Sequence, residues 1–257
     1  MACHRVDAFV GPGCKGNRAA VVLLDAPVDE AVMQAAAQGF GEPATAFVQL
    51  APVDGAHLVR WFAPNREIAL CGHGTLAAGH VLLAEAEGDA VTLQSSGGRK
   101  LEIRKLPGEA RYEISLPAIQ AEPRDWPGLA AALGGEPSEI RWNPAGYALA
   151  LFANPQEVAA LAPDPEALAR LGNLQVTASA AGSLAGASAD ITSRVFSPGG
   201  REDAATGSAH TVLAPYWRER LGRERLAAHQ ASARGGWFEC RMEGNNVWLG
   251  GQCAEVC

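Results

Sequence analysis

The sequence predicts a mixed α+β fold made of two similar halves, and three observations predict it. Short runs rich in Val, Phe and Leu alternate with a few helix-patterned stretches, so strands outnumber helices. A block from the first half returns in the second at nearly one spacing. Of the 257 residues, 48% are hydrophobic and 19% charged, which is enough apolar material for a full core and excludes a disordered chain.

In the first half, residues 4–10, 18–24, 45–51 and 57–63 read as strands, each bounded by Gly, Pro or Asp. Residues 28–38 follow Pro27 with helical spacing. A second helix opens at Gly72 and runs through an Ala- and Leu-rich stretch until Gly88-Asp89 ends it. Strand-like runs resume at 90–94, 100–105 and 111–116. The second half repeats the style, with helix-like stretches at 125–133, 155–161 and 207–221 and strand-like ones at 147–153, 189–196, 237–242 and 247–250.

The internal similarity is specific. Arg60-Trp61-Phe62-Ala63-Pro64 matches Arg194-Val195-Phe196-Ser197-Pro198, and each copy passes through a polar turn to Arg-Glu, Arg66-Glu67 and Arg201-Glu202. Five residues after each Glu stands a Gly that opens a small-residue helix, and both the Glu pair and the Gly72–Gly207 pair are 135 residues apart. Chance likeness in a Gly- and Ala-rich chain competes with duplication, and the repeated spacing favours duplication. It divides the chain into domains at 1–117 and 118–257.

Charge and cysteine usage narrow the function classes. A net charge of −7 with no block of Lys and Arg excludes nucleic acid as a partner. The start, Met1 to Gly13, lacks the apolar core of a signal peptide, and no run reaches the ~18 apolar residues of a membrane span, so a cytoplasmic location and no membrane partner are expected. The six cysteines form no C-x-x-C pair and read as free thiols. Cys71, His73, His80 and His210 match no metal-ligand spacing, so no metal is expected.

Each repeat ends in a strand-to-helix turn, Leu70-Cys71-Gly72-His73-Gly74-Thr75 in one copy and Ala205-Thr206-Gly207-Ser208-Ala209-His210 in the other. Small residues at a helix start let a ligand reach the unpaired first-turn amides at the positive end of the dipole, a ready site for a small carboxylate. Tight packing of the helix on a strand explains the same residues, and the recurrence favours binding. The helix dipole favours a thiolate at Cys71, against the alternative of an inert buried thiol. His73 titrates near neutrality or donates to a substrate oxygen, unless it is a satisfied helix-face histidine. Glu202-Asp203 sets a carboxylate beside the second turn, where it suits acid/base work or serves as a solvated loop acid.

These residues resemble a family. Gly16-Asn17 with Ala19-Ala20-Val21-Val22, Thr45-Ala46-Phe47-Val48, Arg60-Trp61-Phe62 with Pro64, Cys71-Gly72-His73-Gly74-Thr75 and Glu202-Asp203 with Ala205-Thr206-Gly207-Ser208-Ala209-His210 are similar, in order, to the phenazine-biosynthesis isomerase-like (PhzF-like) family. The resemblance implies the diaminopimelate-epimerase fold: two pseudo-symmetric domains, each a curled sheet or barrel around a central helix, with the active site between them. It also implies cofactor-independent proton shifts on small amino or hydroxy carboxylates, and a homodimer. Carried over by motif, His73, Asp203, Gly207 and Ser208 line the substrate pocket with Asn17 and Thr206, and Gly72 and Gly74 add backbone contacts.

One departure bears on all of this. Family members read Ser-Glu-Thr-x-Phe-Val, with the Glu as general acid/base, and this chain reads Pro43-Ala44-Thr45-Ala46-Phe47-Val48. Loss of such a group costs on the order of 10²–10⁴ in rate. A second departure puts Arg18 where Pro usually follows Gly-Asn. Three explanations stand. Glu42, two residues before Ala44, substitutes from the same face of an extended segment. Cys71 is the base, as in thiol-using racemase relatives, although the position matching their second thiol is Thr206. Or the fold uses Asp203 and His73 alone, or binds a ligand without turnover as a non-catalytic or assembly protein.

Overall fold

The computed structural model describes residues 3–50 and 53–256, with the side chain of Glu85 set aside. Ala51, the end of one expected strand, and Cys257, one expected free thiol, lie outside these residues. The other five cysteines are free thiols, and burial pushes Cys14, Cys240 and Cys253 above the ordinary thiol range. No helix among the described residues is long and apolar enough to cross a membrane. The chain forms two compact units.

The first unit runs β1 (Cys3–Val10), β2 (Asn17–Leu24), α1 (Glu30–Phe40), β3 (Ala44–Gln49), β4 (His57–Ala63), β5 (Arg66–Ile68), α2 (Gly72–Glu85), β6 (Ala90–Ser95), β7 (Lys100–Lys105) and β8 (Arg111–Pro117). The second runs β9 (Glu122–Pro123), α3 (Pro127–Leu133), β10 (Glu139–Asn143), β11 (Tyr147–Leu151), α4 (Pro155–Ala160), α5 (Pro165–Arg170), β12 (Gln175–Ala181), β13 (Ile191–Phe196), α6 (Gly207–Leu221), β14 (Arg225–Gln230) and β15 (Gly236–Glu243), and β16 (Asn246–Glu255) ends the chain.

The two units share one pairing scheme. In the first, β1–β2 is antiparallel, β2–β3 parallel, β3–β4 antiparallel, β4–β6 parallel and β6–β7 antiparallel. In the second, β10–β11, β11–β12, β12–β13, β13–β14 and β14–β15 repeat that alternation in the same order. Each parallel step is bridged by helices: α1 or α4 and α5 at the first, α2 or α6 at the second. The units are not continuous halves, because Pro12–Cys14 goes with the second and Leu249–Cys257 with the first. There β16 pairs with β1 and lies next to β8, closing an eight-stranded barrel.

Helix α2 is the core of that barrel. Residues 71–79 are buried on every side, the pattern of a central helix rather than a surface one. It packs on β1, β2, β3, β6 and β7. Gly79 permits the approach to β7, since a Cβ there would lie 2.5 Å from Ile103 Cγ2. Outside the barrel, α1 covers Val22, Leu24, Phe47 and Phe62 with Met33 and Ala37. In the second unit, Leu129, Leu133, Val158 and Leu168 from its short helices pack on Ala148, Ala150, Val176 and Phe196 of the sheet.

Sequence patterning missed β10, β12 and β14. Strand β12 reads Gln-Val-Thr-Ala-Ser-Ala-Ala and is buried along its centre, with α4 on it and α6 against it. Small residues fit that sandwiched position and carry little β signal. The expected stop at Gly250-Gly251 is also revised, because β16 runs on to Glu255. A Cβ on Gly251 would meet the Phe9 ring at 2.5 Å, so this glycine marks a close approach inside a strand.

Gly16, just before β2, has φ +68°, and a Cβ there would sit 2.2 Å from the Ala8 carbonyl oxygen. Gly13 has a similar φ of +71° in open space. Gly16→Ala is therefore expected to cost on the order of 3 kcal/mol or more and Gly13→Ala about 1 kcal/mol. Urea unfolding of the two variants checks this, and equal losses would show that the Ala8 contact is not the constraint.

Candidate functional site

Each helix start rests on an arginine–glutamate clamp supplied by the repeated block. In the first unit, Arg60 Nε and Nη2 donate to Glu67 Oε1 and Oε2 at 2.8 and 2.7 Å. In the second, Arg194 donates in the same way to Glu202 at 2.7 and 3.0 Å. Each guanidinium also covers the ring two residues on, Arg60 over Phe62 at 5.1 Å and Arg194 over Phe196 at 5.4 Å. The bidentate pair fixes the end of the strand against the turn that feeds the helix. Hydrogen bonding to Arg60 holds the Glu67 carboxyl below its usual range. Glu202 is thereby a structural partner.

In the first unit the turn ends at Cys71, the N-cap of α2. Its sulfur accepts from Gly74 N at 3.4 Å and lies 3.5 Å from His73 Nδ1 and 3.7 Å from Nε2. The Thr75 hydroxyl donates to the Cys71 carbonyl at 2.7 Å. Gly74 sits in a tight place, because a Cβ would stand 3.0 Å from Trp61 Cδ1 and 3.1 Å from the Cys71 sulfur. The indole N–H of Trp61, 1% exposed, has no hydrogen-bond partner among the described residues. Cys71, Gly72, His73 and Gly74 are thus brought together, buried, on one helical turn.

The β3 residues are arranged around a methyl group. Ala44 is fully buried and pairs with Ala19, which pairs with Val6. Glu42 is engaged elsewhere: Arg5 Nε donates to its Oε1 at 3.2 Å. Arg5 adjoins Val6 in β1, so the ion pair holds Glu42 on the face of the sheet opposite to Ala44. Arg18 is neutralised by Asp7, donating from Nε and Nη2 at 3.0 and 3.1 Å. Asn17, 1% exposed, opens β2 opposite Ala8.

In the second unit, Thr206 is the N-cap of α6. Its hydroxyl donates to Asp203 Oδ2 at 2.6 Å rather than capping its own helix, and Ala204 N donates to Asp203 Oδ1 at 3.0 Å. His210, four residues on as Thr75 is in the first unit, donates from Nδ1 to the Thr206 carbonyl at 2.9 Å. The Ser208 hydroxyl donates to Gln175 Oε1 at 2.8 Å. Asp203, Thr206, Gly207 and Ser208 are thereby gathered at this helix start. Gln175 and Gln230, which bond to this turn, went unread because single polar residues on unrecognised strands carry no pattern.

Comparison with known proteins now bears on this geometry. The family model described as phenazine biosynthesis-like protein, PhzC-PhzF, matches residues 6–256. The chain belongs to this family. An uncharacterized isomerase of Pseudomonas aeruginosa is 39% identical over 99% of this chain and 96% of its own length. The structure of a PhzF-family protein from Enterococcus faecalis superposes with a TM-score of 0.88 at 34% identity, over 99% of this chain and 96% of that one. The fold likeness extends to a hydroxyproline epimerase from Agrobacterium vitis, solved with trans-4-hydroxy-L-proline bound, at a TM-score of 0.60, 13% identity, and 99% and 91% coverage. The α+β, diaminopimelate-epimerase-like architecture expected of a PhzC-PhzF protein is the one observed.

His210 gives this family member a pH dependence. Desolvation pushes its pKa from 6.5 down to about 4, against the opposing bond to Thr206, so the folded ring stays neutral. Below pH 6.5 the unfolded chain takes up a proton that the folded one refuses, so stability falls with pH until about pH 4 and is unaffected above 6.5. The loss attributable to this ring is about 3 kcal/mol. His210→Thr, which copies Thr75, is expected to flatten that part of the stability–pH curve measured by urea unfolding. An unchanged slope would assign the acid sensitivity to other groups.

Proposed function

We propose that this PhzC-PhzF protein is a cofactor-independent isomerase that shifts a proton on a small amino or hydroxy carboxylate, with His73, Cys71 and Asp203 as its proton-handling groups. The observation that carries the reading is the Cys71–His73 pair, sulfur 3.5 Å from ring nitrogen, at the start of a buried helix. An amide donor and the positive helix end favour anionic sulfur there, and the imidazole beside it accepts or returns a proton. The isomerase name of the Pseudomonas relative points the same way.

The chemistry needs no net oxidation. One group removes a proton from a carbon next to the carboxylate, and another delivers a proton to the opposite face or to a neighbouring carbon. Ala44 supplies no proton, and the ion pair with Arg5 speaks against Glu42 as its replacement. The weight therefore falls on Cys71 and His73. Asp203, fixed by Thr206 and the Ala204 amide, is the matching carboxylate of the second unit. Amides at either helix start, Gly72 in one unit and Gly207 and Ser208 in the other, are of the kind that suits a carboxylate, while the Gly74 amide is taken by the Cys71 sulfur. A homodimer is part of this reading through the family resemblance.

A second reading is supported by Ala44 itself: the protein binds such an acid without turnover. Incubation in D2O with a panel of 2-amino and 2-hydroxy acids, including trans-4-hydroxy-L-proline, separates the two. The isomerase reading expects deuterium incorporation that falls by about 10²–10⁴ in His73→Ala and Asp203→Asn, and in Cys71→Ala if sulfur is the base. Exchange that survives in all three variants overturns the assignment of these groups. No exchange in the wild type, with exchange created by Ala44→Glu, establishes the second reading.

A further inference from the structure

The turn that carries Asp203 is gripped by a residue outside the repeated block. Gln230 ends β14 and is fully buried. Its Oε1 accepts from Thr206 N at 2.8 Å, and its Nε2 donates to the Asp203 carbonyl at 2.7 Å and to Thr206 Oγ1 at 3.2 Å. The orientation of this amide is forced. A backbone N–H only donates and a backbone carbonyl only accepts, so the oxygen faces Thr206 N and the nitrogen faces the Asp203 carbonyl.

That polarity propagates. Thr206 Oγ1 receives a hydrogen from Gln230, so its own single hydrogen goes to Asp203 Oδ2, 2.6 Å away. The other carboxylate oxygen takes the Ala204 amide. The geometry points to Gln230 as a positioning residue: it sets the direction of the Thr206 hydroxyl and thereby fixes the rotation of the Asp203 carboxylate.

Among the described residues, the first unit shows a different arrangement at this place. Cys71, in the position matching Thr206, caps its own helix. Ser95 ends β6 as Gln230 ends β14, and its hydroxyl accepts from Arg99 N instead of reaching the helix start. The relay thus accompanies the carboxylate of the second unit. Its catalytic consequence rests on the reading of Asp203 as a proton-handling group, whereas the hydrogen-bond chain does not.

The chain can be read without a substrate, by proton NMR of the full-length protein in water. A hydroxyl hydrogen held against a carboxylate at this separation is expected as a slowly exchanging downfield signal. Thr206→Val removes it and so assigns it, and Thr206→Ser restores it. Gln230→Met shifts or abolishes it, while Ser232→Ala, which loses a bond to the Ala204 carbonyl outside the relay, leaves it in place. Where Gln230→Met does not fold, Gln230→Glu carries the same test, because an ionised carboxylate cannot donate to Thr206. A folded Gln230 variant with the signal at its wild-type position overturns the proposal. In the D2O assay with trans-4-hydroxy-L-proline and the other acids, Gln230→Met is expected to lower kcat at least tenfold with KM unchanged. Loss of the signal with exchange at the wild-type rate, or with none in the wild type, leaves the relay standing and removes Asp203 from catalysis.

Discussion

The start of a helix buried inside a sheet is the constraint from which the rest follows. Its first amides have no partners within the helix, and inside a barrel water does not reach them freely. Both units reinforce the turn in one way: the side chain four residues on, Thr75 or His210, donates a further bond to the N-cap carbonyl. Both anchor the incoming chain with an arginine–glutamate pair. Small residues are then favoured, as the tight space at Gly74 between Trp61 and Cys71 shows. A turn that must be small, rigid and rich in amides for folding is also preorganised to hold an anion.

The repeat made the doubled plan legible in the sequence. R-x-F-x-P followed by Arg-Glu and Gly is visible because each member has a job: cation over ring, bidentate pair, close approach. The helices α2 and α6 were legible as well, through Ala and Leu content and the opening glycines. Strand β12 was not, because a strand covered by helices on either side selects small residues, and Ala and Ser do not alternate visibly. Nor was β14, Arg-Leu-Ala-Ala-His-Gln, which holds a single large apolar residue. Gln230 shares that obscurity. Its importance lies in three bonds to a segment more than twenty residues away, which no local pattern encodes.

Within one common frame the two helix starts have diverged chemically. The first places sulfur beside imidazole, with the sulfur acting as its own helix cap. The second gives up the cap bond so that a hydroxyl can hold a carboxylate, and recruits a glutamine to keep the backbone satisfied. The repeated block gave both units the same kind of helix start, and the cap position then differs, sulfur in one and a hydroxyl in the other. The burial of Ala44 among alanine and valine neighbours removes the carboxylate that the resemblance leads one to expect, so this division of labour matters more here.

The route of β16 has a consequence for how the molecule is made. The barrel of the first unit closes when residues near position 253 pair with those near position 8, so the whole of the second unit is synthesised before the first can be completed. A nascent chain carrying β1 through β8 has an open barrel, with two strand edges awaiting a partner that follows the second unit. Such edges are templates for pairing with other chains, and long-range closure of this kind is slow. Strands β1 to β8 are therefore sealed only after β16 has been made.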